Sequence, residues 1–162
     1  METKQTVWIT GASSGLGLYT TQALRDAGFQ VIAGARSFQN AAAQQDGIIR
    51  LTLDVMQEES VAAFREAALK LSPRVDAVVH CAGVLVMGPC EETPVTEYRR
   101  VMETNFLGMV RVNQAVLPLM RAQGGGKIVM FSSINGLLGI PYQSAYTASK
   151  HAVEGYAECL SM

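Results

Sequence analysis

The chain has 162 residues, 49% hydrophobic and 17% charged, which is enough for one domain with a buried core and excludes a disordered chain. Its 13 basic and 14 acidic residues leave a net charge of −1, so nothing points to a nucleic-acid or membrane-surface partner. Apolar stretches are short and broken by Gly, His or Pro, so no membrane-spanning helix is expected. The N-terminal residues 1–5 run directly into an apolar strand, unlike a signal peptide.

Taken in chain order, apolar runs alternate with segments of helical period. Thr6–Thr10 is a short β-rich run ending in glycines, and residues 16–27 have helical spacing with Gly28 as a stop. Gln30–Ala35 reads as a second strand and residues 47–53 as a third. Glu58–Leu71 reads as a strong helix, because Val61, Phe64, Ala68 and Leu71 share a face and Pro73 follows. A fourth strand is expected over 76–80. A long helix follows over 96–121, which Pro118 is expected to kink near its end. Three glycines at 124–126 form a turn before a fifth strand at 127–131, and a last helix is expected over 144–162. Strands alternating with helices predict parallel βαβ units in one α/β domain over 1–162, a doubly wound three-layer sheet. On such a sheet ligands sit beyond the carboxyl ends of the strands.

The residues placed there carry chemistry. After the first strand come Gly11, Ser13, Ser14, Gly15, Leu16 and Gly17. Glycines let the backbone turn sharply and approach a pyrophosphate, and the following helix aims its free N–H groups and positive end at the phosphates. After the second strand an acidic residue would receive the ribose hydroxyls of NAD. Ala35 and Arg36 stand there instead, and a cation at that point favours the 2′-phosphate of NADP, with NAD as the alternative. After the fifth strand comes Ser133, and further on Tyr146 and Lys150 stand one helical turn apart. A tyrosine phenol ordinarily has a pKa of about 10; a neighbouring ammonium and an oxidised nicotinamide both favour its phenolate. Such a phenol can exchange a proton with an alcohol or carbonyl oxygen while hydride moves to or from the cofactor, and Ser133 can hydrogen-bond that oxygen. Cys81, Cys90 and Cys159 are odd in number and lack metal-type spacing. They read as free thiols in a reducing, cytoplasmic compartment, and no metal site is expected. His80 and Cys81 read as core or near-core residues, and Met87, Met102, Met109 and Met130 as core filling.

These pieces together resemble the short-chain dehydrogenase/reductase family of the single-domain type. The matching segments are TGASSGLG (10–17), DV (54–55), CAG (81–83), TNFLG (104–108), IVMFSSINGLLG (128–139) and YTASK (146–150). The resemblance implies a Rossmann fold with Tyr146 as general acid/base and Ser133 as the donor that orients substrate. It implies that Lys150 assists Tyr146 and binds the nicotinamide ribose, and that Asn105 holds a water relaying protons past Lys150. Asp54 and Val55 would contact adenine, unless Asp54 only caps the following helix or turn. Cys81, Ala82 and Gly83 would line the cofactor by backbone, and Thr104 would lie beside it or only pack. The family usually carries two asparagines where this chain has His80 and Cys81.

Family members also continue past a helix like the one that ends here at Met162, through further strands and a substrate-covering loop. The chain is therefore expected to be the N-terminal portion of a longer protein, with a sheet edge left open. The expected activity is hydride transfer between NADP(H) and an alcohol or ketone. The apolar residues 137–143 suggest a hydrophobic one, and the resemblance implies homo-oligomers through the long and final helices. The alternatives are a nucleotide-binding module without turnover, or an epimerase or dehydratase using the same tyrosine and lysine.

Overall fold

The computed structural model describes residues 4–38 and 43–161, for 43–45 the backbone only. In order the elements are β1 (Thr6–Thr10), α1 (Gly15–Asp26), β2 (Gln30–Ala35), β3 (Ala43–Gln45), β4 (Ile48–Thr52), α2 (Glu58–Leu71), β5 (Ala77–His80) and α3 (Val95–Met102). A π-helical turn (Glu103–Leu107), α4 (Gly108–Ala122), β6 (Lys127–Met130), a short 3-10 turn (Ile134–Gly136) and α5 (Ser144–Leu160) complete the chain. The sheet order is β3-β4-β2-β1-β5-β6, with β3 antiparallel to β4 and the other five strands parallel. The chain winds from β1 outward through β2 to β4, then returns to the other side of β1 with β5 and β6. The order reverses between β1 and β5, which is where an open parallel sheet leaves a crevice at its carboxyl edge.

All five residues of β1 are buried, as a central strand covered on both faces requires. Alternation along it feeds two cores. Val7 and Ile9 join Val31, Ala33 and Val79 on one face. Trp8 joins Ile32, Val78, Phe64, Val112 and Val116 on the other. Trp8 meets Phe64 of α2 edge to face at 5.4 Å, and Val61, Phe64 and Ala68 form the buried face of that helix, whereas Leu71, expected on the same face, is exposed at the helix end. Burying a side chain of this size contributes about 2–3 kcal/mol, so α2 is held by this stripe rather than by its propensity.

The structure departs from the sequence-based expectations in further places. A three-residue strand, β3, pairs antiparallel on the outer edge of β4. The long helix expected over 96–121 is not one α-helix: it widens into the π-turn at Glu103–Leu107, well before Pro118, and α4 then runs on to Ala122. Of the methionines expected as core filling, Met87 is 63% exposed in the loop after β5, Met102 and Met130 are half-buried, and only Met109 is fully buried. The other elements lie within one or two residues of the predicted spans. The N-terminal residues 1–3 and the expected end of the last helix at Met162 lie outside the described residues. Among the described residues no helix is long and apolar enough to cross a membrane.

Candidate active site

A cleft of about 500 Å³ opens at the carboxyl ends of β1, β2, β5 and β6. Gly11, Ser13, Ser14, Gly15, Leu16 and Gly17 line one wall. Two of these glycines are required by close approach. Gly11 has φ +68°, and a Cβ there would lie 2.6 Å from the Ala82 backbone. A Cβ on Gly17 would lie 2.1 Å from the carbonyl oxygen of Gly11. The loop is thus folded onto itself and against the β5 loop, and Ala82 N–H donates to Thr10 Oγ1 at 3.3 Å. Ser14 caps α1 without a side-chain hydrogen bond, and the first turn of α1 holds no acidic residue. The positive end of the helix therefore faces the cleft uncompensated, an arrangement suited to a phosphate.

The adenosine end is built after β2 and β4. Arg36, exposed at the tip of β2, lines the cleft and makes no ion pair among the described residues. Asp54 and Val55 line it too. Asp54 Oδ1 also accepts from Met56 N–H at 3.0 Å, so its carboxylate closes a local turn while the residue lines the cleft. It does not cap α2, whose N-cap is Gln57.

At the opposite end stand Tyr146 and Lys150, both lining the cleft. The Lys150 ammonium lies 5.5 Å from the centre of the Tyr146 ring, and it donates to the Phe131 carbonyl at 2.7 Å. Lys150 is buried, and desolvation holds its pKa below the usual lysine value, opposed by attraction to Cys81 and Glu154. Ser133 lies outside the cleft lining. Its hydroxyl accepts from Asn135 N–H at 3.2 Å and donates to Asn135 Oδ1 at 3.1 Å. Ser132 lines the cleft instead, and its hydroxyl oxygen is buried with no protein partner.

Asn105 also lies behind the cleft rather than in its lining. The π-turn places it fully inside, 1% exposed. Its Oδ1 accepts from Val84 N–H at 2.7 Å, and its Nδ2 donates to the Val84 carbonyl at 2.9 Å and to Ser149 Oγ at 3.0 Å. Both amide N–H groups are used, leaving only oxygen acceptors at Asn105 for the water the family resemblance implies. A salt bridge of 2.5 Å from Arg111 to Glu103 braces the turn. Thr104 lines the cleft while its hydroxyl donates to the Arg100 carbonyl at 3.0 Å.

Cys81, Ala82 and Gly83 line the cleft floor. Burial pushes the Cys81 thiol up to about 11, against the opposing pull of Thr20 and Lys150. His80 is a core residue as expected, 3% exposed, with its ring nitrogen 2.8 Å from Asn113 Oδ1. The structure brings every sequence-proposed cofactor residue to this one cleft. Sequence reasoning missed Ser132, Leu85 and Met56, which also line the cleft; their positions just after β6, β5 and β4 were the available signal.

The chain belongs to the short-chain dehydrogenase family, whose model it matches over residues 5–162. It is 41% identical over 159 residues to a 3-ketodihydrosphingosine reductase of Bacteroides thetaiotaomicron, covering 98% of this chain and 58% of that one. A solved short-chain dehydrogenase from Streptomyces avermitilis superposes with a TM-score of 0.90 at 36% identity, over 98% of this chain and 60% of that one. The structure of ElxO with NADP bound superposes with a TM-score of 0.88 at 30% identity, over 95% and 65%. The chain thus spans about three fifths of the length of these relatives.

Proposed function

We propose that the protein is an NADP(H)-dependent oxidoreductase that interconverts an alcohol and a ketone, with Tyr146 as general acid/base. The observation that carries this reading is one cleft with a glycine cradle and Arg36 at one end and the Tyr146–Lys150 pair at the other. The cradle fits a dinucleotide: Cβ atoms at Gly11 and Gly17 would close it, and α1 offers its N–H groups with no acidic residue in its first turn. Bound there, the nicotinamide supplies or accepts the hydride.

The residues of the chain do the rest. Ser13, Ser14 and the first N–H groups of α1 hold the pyrophosphate, with Leu16 beside them, and Arg36 pairs with the 2′-phosphate. Asp54 and Val55 bound the adenine; Cys81, Ala82, Gly83 and Thr104 floor the remainder. Tyr146 gives its phenolic proton to the ketone oxygen, or takes it from the alcohol. The Lys150 cation beside the ring stabilises the charge left on the phenolic oxygen and reaches the nicotinamide ribose. Ser133 orients the substrate oxygen. Asn105 braces the β5 loop and holds, through an oxygen acceptor, the water that returns protons past Lys150.

The substrate reading is a hydrophobic ketone or alcohol. Leu85 borders the cleft and is 48% exposed. The loop that follows it is tied by Gly88 N–H to the carbonyl of the exposed Tyr142 at 2.9 Å. The similar reductase is named for a keto compound, 3-ketodihydrosphingosine. A reducing cytoplasm suits the three unpaired thiols, and α4 and α5 are the faces proposed for self-association.

The test is Tyr146→Phe in the whole protein. NADPH-dependent ketone reduction should fall by roughly 10²–10⁴-fold while NADPH still binds. Equal rates would remove Tyr146 from catalysis. A wild type that binds NADPH without oxidising it in the presence of any ketone would favour a binding module, and product formation without net cofactor turnover an epimerase or dehydratase.

A further inference from the structure

Asn135 is 4% exposed, and every polar atom of its side chain is engaged. Its Nδ2 donates to Thr147 Oγ1 at 2.9 Å and to Gln143 Oε1 at 3.1 Å. With both amide protons committed to the start of α5, Oδ1 is forced to face Ser133. There it accepts the Ser133 hydroxyl proton, and the Asn135 backbone N–H occupies one lone pair of the same hydroxyl. A serine hydroxyl has one proton and two lone pairs. This network assigns the proton and one lone pair, leaving a single lone pair free to meet a substrate.

We propose that Asn135 is the positioning residue of this site: it fixes the orientation of the Ser133 hydroxyl and ties it to α5 beside Tyr146. The proposal rests on the reading that Ser133 meets the substrate oxygen. Thr147, the far anchor of the network, follows Tyr146 directly in α5. The serine and the tyrosine would otherwise be carried by two independent segments, the turn after β6 and a helix. Asn135 makes their relative placement a property of one hydrogen-bonded unit. In the resting site Ser133 is an acceptor, matched to an alcohol O–H. To serve a ketone its proton must rotate away from Asn135 Oδ1, which leaves that oxygen without its partner. Asn135 therefore also sets which substrate Ser133 is poised to receive.

The experiment is a double-mutant cycle on the whole protein with Ser133→Ala, Asn135→Ala and the double variant. It reads kcat and KM in both directions, NADPH affinity and thermal stability. Asn135→Ala should lower kcat for alcohol oxidation by roughly ten- to a hundred-fold, the worth of one well-placed hydrogen bond, and kcat for ketone reduction by less, because it also frees the Ser133 proton, with NADPH affinity changed by less than about two-fold. The double variant should lose no more than Ser133→Ala alone, because the two side chains act as one unit. Multiplying losses, or an unchanged kcat in Asn135→Ala beside a crippled Ser133→Ala, overturn the role of Asn135. An unchanged kcat in Ser133→Ala instead overturns the underlying reading of Ser133, and the proposal with it. Should Asn135→Ala not fold, Asn135→Asp decides: its carboxylate still accepts from Ser133, so activity persists with a new acidic limb in the pH profile as that carboxylate protonates. A profile matching wild type overturns the proposal.

Discussion

His80 makes the fold sensitive to mild acid, and the size of the effect follows from its surroundings. The ring is buried at the end of β5 and bonds Asn113 Oδ1, itself fully buried in α4, while Asn113 Nδ2 reaches the Tyr156 hydroxyl at 3.4 Å. Because an amide oxygen only accepts, the facing ring nitrogen carries the proton of a neutral imidazole. Burial lowers the His80 pKa from 6.5 to about 4, opposed in part by the bond to Asn113. Between those values the unfolded chain binds a proton that the fold refuses. Stability is therefore whole above pH 6.5 and falls as pH drops toward 4. At about 1.4 kcal/mol for each tenfold difference in proton affinity, the loss at pH 4.5 is roughly 2.5 kcal/mol, a sizeable part of a typical stability of 5–15 kcal/mol.

The assay is urea unfolding at pH 7.5 and 4.5 of wild type and His80→Asn, which keeps a polar side chain but cannot titrate. Carboxylates affect both proteins alike, so the difference isolates His80. Wild type should lose about 2.5 kcal/mol more than the variant between the two pH values, or melt about 5–10 °C lower relative to it in acid. Equal losses in the two proteins would show that His80 is protonated inside the fold, and the burial argument would be wrong.

Arg36→Ala should weaken NADPH by roughly ten- to a hundred-fold while leaving NADH nearly untouched, since a charge-assisted bond to phosphate is lost and nothing else; titration with both cofactors checks this, and an unchanged preference refutes it. The thiols should divide as well. Exposed Cys90 and Cys159 should react quickly with a chromogenic disulfide at pH 7.5, whereas Cys81, held near 11, should react slowly and slower still with NADPH bound. Three indistinguishable rates would contradict the burial of that thiol.

The parallel core was legible because its signals are local. β1 and β2 each hold a short apolar run, Val7 to Ile9 and Val31 to Ala33, and the stripe Val61, Phe64, Ala68 repeats at helical period. The edge strand β3 was not, since three residues, AQQ, hold no periodicity and owe their pairing to β4. The π-turn was hidden for a related reason. Helical spacing tolerates one extra residue in a turn, and what holds the widened turn is tertiary: Arg111 on Glu103, and Asn105 buried against Val84 and Ser149. Met87 was misread because an apolar residue in a short loop was assigned to the core without a partner element to bury it.

The two ends of the cleft differ in the same way. The cofactor end is made of backbone, glycines that no side chain can replace and a helix terminus, so its chemistry is written in residue types directly after a strand and reads from sequence. The chemical end is made of side chains from separate segments: Ser133 and Asn135 after β6, Tyr146, Thr147 and Lys150 on α5, Asn105 from the π-turn. Sequence spacing can name the tyrosine and lysine, one turn apart on one helix, but the partner that aims Ser133 emerges only when the turn meets the helix. Backbone geometry shapes the seat of the pyrophosphate, while single side chains such as Arg36 select the cofactor and side-chain networks govern whether it is used. Asn135 belongs wholly to the last, since it lies outside the cleft lining and its bonds run to Ser133, Gln143 and Thr147.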